Sequence, residues 1–189
     1  MNREPDLQPP KQPVLRPSDV VVALELRLRK ERSYRLLATS LSLCHAEVHN
    51  AVRRLVRSRL ADEWQSNVEL PALMNFLVHG VPYAYPPVIG GEVCGEPTAV
   101  LSDGTAFVWP TAWGKARGRS VLPLYRAATG FARENPRLHR ALVLVDCLRL
   151  GDDSDRERAA AELREHLHPL WFKPRPKLLT LRQPPAQWR

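Results

Sequence analysis

Proline pins φ and removes a backbone donor, so where it recurs neither long helices nor interior strands can run freely. This chain places 18 prolines among 189 residues, about twice the ordinary share of roughly 5%. Extended or irregular segments must therefore be common between its helices. Residues 1–17, with Pro5, Pro9, Pro10, Pro13 and Pro17 among polar groups, read as a disordered or loosely held arm. Residues 169–189 hold another five prolines and five basic groups, and read as a basic Pro-rich tail.

Between these ends the balance is that of a folded chain, with 44% apolar and 25% charged residues. No window holds 18 consecutive apolar residues, so no membrane-spanning helix is expected. Residues 1–17 lack the apolar core of a signal peptide. Cys44, Cys94 and Cys147 are scattered, which suits neither a disulfide framework nor a C-x-x-C zinc site. A reducing cytoplasm is the simplest location. The net charge of +8 is informative through its distribution. Residues 27–60 hold nine basic and two acidic residues, whereas 61–114 hold six acids and no Lys or Arg. A positive field gathered into one short segment and one tail suits a local polyanion-binding surface.

Helical spacing places the elements. Ser18 as N-cap, Asp19 in the first turn, and Val21, Leu24 and Leu28 give a first helix near 19–30. Ser33 caps a second, near 34–41. After a break at Ser42-Leu43-Cys44, a third near 45–59 turns Val48, Val52, Leu55 and Val56 inward. Leu70 to Val78 forms a short helix. Pro82 to Pro86 reads as extended, with Gly90-Gly91 turning the chain back towards Glu92-Val93-Cys94; the prolines confine any strand here to an edge or to a short length. Helix returns over Val121 to Glu134, again from Pro136 behind an Asn135 cap to a stop at Gly151, and last over Asp155 to His168. The division is 18–70, then a mixed extension over 71–168.

The segment Leu36-x-Ala38-x-x-Leu41-x-Leu43, then Val48-x-x-x-Val52-Arg53-Arg54-Leu55 and Leu60, carries a recognisable pattern. Ala38 lets two steeply crossing helices approach, Leu43 plugs the turn, and Val48, Val52 and Leu55 bury the second helix. Over about 40 residues it resembles the winged helix-turn-helix domain of bacterial transcriptional regulators, MarR-like and Lrp-like. Two positions depart from the pattern: Ser42 stands where glycine is frequent, and Cys44 stands where Ser or Thr usually caps, with Glu47 placed to help. The resemblance implies a mainly α fold with a small β element: an N-terminal winged helix-turn-helix and a helical C-terminal extension. It implies that the third helix enters the major groove of double-stranded DNA by its N-terminal half. His45, Ala46, His49 and Asn50 then lie near base edges, Asn50 suited to adenine and Arg53 to guanine. Arg54, Arg57, Ser33 and Arg35 hold phosphates. A wing should follow, yet 61–70 carries Asp62, Glu63 and Glu69 and no base. Phosphate contacts would then come from Arg27, Arg29, Lys30 and Arg32, or from the tails.

The chain is expected to be a transcriptional regulator acting as a homodimer, since one helix reads only a half-site. The Leu138–Leu148 helix is the candidate dimer contact, or else core. An alternative is an antitoxin-like factor that autoregulates its operon and binds a basic partner protein through its acidic middle. That middle carries Trp64, Phe76, Tyr83, Tyr85, Phe107, Trp109 and Trp113, which more simply form core. A third reading is RNA binding or a purely structural use of the fold. Cys44, His45 and His49 have a spacing that can hold metal, but groove contact explains them equally, and no metal or cofactor is assigned. His79, His139, His166 and His168 lack partners at ligand spacing. Asp152, Asp153 and Asp155 read as a loop and helix start. No catalytic motif is present, and no enzyme is expected.

Overall fold

The computed structural model describes residues 14–29, 31, 33–62 and 67–168. Residues 1–13 of the arm expected over 1–17, the tail 169–189, Lys30, Arg32, Glu63 and Trp64 lie outside the described residues, whereas Pro17, the last residue of that arm, belongs to the first helix. The chain is mainly helical with one small three-stranded sheet.

Helices α1 (Pro17–Leu28), α2 (Tyr34–Leu41) and α3 (His45–Arg57) come first. Helix α1 begins earlier than its spacing suggests, because Pro17 fits the first helical position and needs no donor there. Arg16, not Ser18, is therefore the cap residue, and its amide donates to Asp19 Oδ2 at 2.8 Å. Nor is α1 one-sided: every residue from Asp19 to Leu28 is buried. A helix apolar on all sides belongs inside a core, and α2, α3 and the C-terminal helices pack around it.

Short antiparallel pairing follows α3: Ala61 bridges Val68, the Asp62 amide donates to Asn67 O, and the Glu69 amide donates to Leu60 O, both at 2.9 Å. Then come α4 (Leu70–His79) and α5 (Val81–Ala84). The latter corrects the extended reading of Pro82 to Pro86. Pro82 sits in a helical first turn, where its missing donor costs nothing.

The sheet consists of β1 (Ile89–Val100), β2 (Ala106–Pro110) and β3 (Ala116–Val121). Its strands close on themselves, β1 antiparallel to both others and β2 parallel to β3. Twelve-residue β1 contradicts the expectation of a short strand. It bends instead: Ile89 to Gly95 pairs with β3 and Gly95 to Val100 with β2. Gly95 is the pivot, with a position for Cβ only 2.2 Å from Trp109 O, so no larger residue fits. Gly90-Gly91 does not turn the chain. The pair lies in β1 where the register slips between Ile89 and Glu92, a bulge. The reversal is made at Leu101–Thr105, where Gly104 has φ 84°. Pro97 adjoins the second irregularity, which is how a proline is accommodated.

Val121 ends β3, so the helix expected from there begins only with a 3₁₀ turn (Arg126–Gly130) and α6 (Phe131–Glu134). Helix α7 (Pro136–Leu150) starts as its sequence indicates, with Asn135 Oδ1 accepting from the Leu138 amide at 3.1 Å. It stops before Gly151. Leu138, Leu142, Val145 and Leu148 are buried within the chain itself, so this face of α7 is core. Helix α8 (Asp153–His166) covers it, capped by Asp152 two residues earlier than expected.

A buried polar cluster joins sheet to helices. Asp146 on α7 accepts from Trp109 Nε1 (2.7 Å), Thr98 Oγ1 (3.0 Å) and an Arg149 amino group (2.6 Å). Arg149 also donates to the carbonyls of Tyr85 and Pro86. Burial pushes the Asp146 carboxyl above the usual range, against the opposing pull of Arg149 and the two other donors. Replacing Arg149 by Met should cost about 3–5 kcal/mol in urea unfolding at neutral pH, because Asp146 loses its counter-charge. The deficit should shrink in mild acid: a raised pKa favours the protonated carboxyl, which needs no cation, and that relief disappears as pH rises through it.

Candidate nucleic-acid interface

The turn between α2 and α3 requires one residue in left-handed geometry. Ser42 takes it, at φ 53° and ψ 40°. The next amide, Leu43, donates to Ala38 O at 3.0 Å and ends α2. Leu43 is half-buried against the core, the plug its position suggests. The exit of α3 repeats the device: Arg59 has φ 59° and the Leu60 amide donates to Leu55 O at 2.9 Å. Both ends place a side-chain-bearing residue where glycine is preferred, at a cost of about 1–2 kcal/mol each.

Cys44 caps α3. Its Sγ accepts from the Glu47 amide at 3.4 Å, and Glu47 Oε2 accepts from the Cys44 amide at 2.7 Å. The Cys44 backbone hydrogen bond holds the exposed Glu47 carboxyl below its usual range. Its lowered pKa means that the cap is intact at neutral pH and is lost as pH falls through that pKa. The Cys44 amide resonance should therefore titrate with a midpoint below that of an ordinary glutamate; a midpoint at the free value would show that the cap does not form.

Along α3, Val48, Ala51, Val52 and Leu55 are buried, Val56 is half-buried, and His45, Ala46, His49, Asn50, Arg53 and Arg57 are exposed. This is the helical phase that the valine spacing requires. Among the described residues, no ion pair or hydrogen bond through the side chain engages Asn50, Arg53 or Arg57. His45 and His49 pack against Tyr34 on α2, with ring centroids 5.9 and 6.2 Å apart. Helical spacing signals the two histidines as neighbours, but nothing in the sequence signals the tyrosine across the turn. Ser33 precedes α2 without a side-chain capping bond, and Arg35 is exposed. Among the described residues, no group of three His, Cys, Asp or Glu side chains is placed to hold a metal ion.

Several expected phosphate contacts are otherwise engaged. Arg54 is held by Asp19, Nε and Nη2 each 2.7 Å from a carboxylate oxygen, and its side chain is only 18% exposed. The hydrogen bond to Asp19 raises the Arg54 pKa, so the charge is fixed in the protein rather than offered outward. Arg27 is buried and donates to Leu167 O at 3.1 Å. Arg29 pairs with buried Glu25, which also accepts from Ser40 Oγ (3.1 Å) and Asn135 Nδ2 (2.9 Å). Among the described residues of this region, Arg35, Arg53, Arg57 and Arg59 are exposed cations with no ion pair. The last is exposed at the end of α3 and was not singled out from sequence. Of the middle aromatics, Phe107 and Trp109 are core, whereas Tyr83 and Trp113 are exposed.

Among the described residues, no helix is long and apolar enough to cross a membrane. No family model, curated protein or solved structure matches this chain.

The Asp19–Arg54 pair separates two kinds of arginine on one helix. Arg54→Ala should cost about 2–4 kcal/mol of stability, because a fully buried carboxylate loses its cation. Arg53→Ala and Arg57→Ala should stay within about 0.5 kcal/mol of the parent in the same unfolding experiment.

Proposed function

We propose that this chain is a sequence-specific double-stranded DNA-binding protein of the winged helix-turn-helix kind, and that it regulates transcription. The observation that carries the reading is the outward face of α3. It presents Asn50, Arg53 and Arg57, unengaged by other side chains, beside His45, Ala46 and His49, on a helix whose other face is locked into the core. Groove reading requires that arrangement: a rigid helix whose exposed donors and acceptors meet base edges, flanked by cations for phosphates.

The pairing of residues 60–62 with 67–69 directly after α3 supports a small wing. Asp62 and Glu69 make it a poor phosphate ligand, so the wing serves as a structural stop while Arg57 and Arg59 hold the backbone. Arg54 is withdrawn from the contacts and acts as a positioning residue. The protein acts as a dimer on a two-part site, because one such helix covers a half-site. The face of α7 that carries Leu138, Leu142, Val145 and Leu148 is core and does not carry the dimer contact.

Selection from random duplex DNA with the full chain should enrich a palindromic sequence. Arg53→Ala should cost about 1–3 kcal/mol of affinity and relax preference at one base pair, whereas Arg57→Ala should weaken all duplexes alike. Failure to enrich any sequence would remove the reading.

A further inference from the structure

We propose, resting on that reading of α3, that the outer face of β3 is a second DNA contact: Lys115, Arg117 and Arg119, beside Trp113, hold the phosphate backbone flanking the site read by α3. After a stretch with no Lys or Arg over 61–114, three cations arrive at every second position. Alternate residues of a strand share a face and stand about 6.7 Å apart, a spacing comparable to that of successive phosphates along one DNA strand. Arg117 and Arg119 are exposed with Gly118 buried between them, and Lys115 is exposed just before the strand.

Among the described residues, the carboxylate that pairs with the stripe is Glu92, which stands opposite Arg119 across the sheet. Glu92 lies 3.5 Å from Arg117 Nε, but both side chains are more than half exposed, so the pair is weak. The Arg119 guanidinium lies 5.8 Å from the centre of the Phe107 ring, a contact that leaves its charge intact. Trp113, 63% exposed at the turn entering β3, offers an apolar body with a polar edge, suited to a sugar-phosphate surface.

The position of the stripe relates it to α3. The chain leaving β3 reaches Tyr125, whose hydroxyl donates to Leu41 O at 2.6 Å, at the turn between α2 and α3. That bond sets the segment beside the turn leading into α3, and burial and then the Glu47 carboxylate raise the Tyr125 pKa. Tyr125 lies six positions after Arg119, a span of at most about 20 Å. That span is shorter than one turn of B-DNA, which covers about 34 Å.

The test uses the full chain and a selected duplex of about three helical turns, with affinity measured against salt concentration. The triple variant Lys115→Gln, Arg117→Gln, Arg119→Gln should flatten the log–log salt slope by about two to three and leave the selected sequence unchanged. Its hydroxyl-radical footprint should lose protection on the flank. Arg119→Gln uncovers Phe107, so the double variant Lys115→Gln, Arg117→Gln guards against misfolding; it should lose about two from the slope. The pair Arg117→Lys, Arg119→Lys should keep the parent slope. An unchanged slope in folded variants, with Arg53→Ala still relaxing base preference, overturns the stripe and leaves α3 standing. Retained slope with lost binding of poly-L-glutamate overturns it in favour of an acidic protein partner. Absence of salt-dependent duplex binding in the parent chain removes both.

Discussion

Asp19 is completely buried, and Arg54 reaches it there with two parallel hydrogen bonds while the Arg16 amide donates a third. A carboxylate taken out of water is costly unless its partner is close and well aligned. That requirement fixes the rotation of α3 about its own axis relative to α1. With Arg54 turned inward beside Val48, Val52 and Leu55, the arc holding Asn50, Arg53 and Arg57 must face solvent. The polar face of α3 is thus set from within by one ion pair and the buried side chains of Val48, Ala51, Val52 and Leu55.

Helix α1 extends the same logic. Buried from Asp19 to Leu28, it carries Glu25 and Arg27 as well as Asp19, and each is tied to a different part of the chain. Glu25 holds Ser40 on α2 and Asn135 at the start of α7. Arg27 reaches the end of α8 at Leu167. Hydrophobic burial is non-directional, and could pack these helices in several ways. Charge-assisted hydrogen bonds are directional, and they select one. Asp146 does the same for the sheet, joining β1 through Thr98 and β2 through Trp109 to α7 and, through Arg149, to the chain after α5. The three-stranded sheet, too small to bury much alone, is oriented against the helices by that cluster and is left with β3 outward.

Several elements were legible in the sequence because their causes are local. Helices α2 and α3 follow from apolar spacing, the left-handed turn from the place of Ser42, the α7 start from Asn135-Pro136, and the Cys44–Glu47 cap from residues three apart. Where reading went astray, two local codes competed. Gly90-Gly91 fits a turn and a bulge equally well, and Pro82 suits a helix start as readily as an extended piece. Only the partner strand and the packing of α5 discriminate.

By itself, the sequence determined that three short helices precede a mixed region, and that α3 has one apolar and one polar side. It did so because both facts depend on residues within a few positions of each other. Tertiary structure decided which arginines are free. Arg53 and Arg54 are chemically identical neighbours, and a partner 35 residues away in the chain makes one structural and leaves the other at the surface. Tertiary structure also brought Tyr34 to two histidines and Tyr125, on the chain leaving β3, to the α2–α3 turn. Such pairings depend on distances through space, which no spacing along the chain encodes.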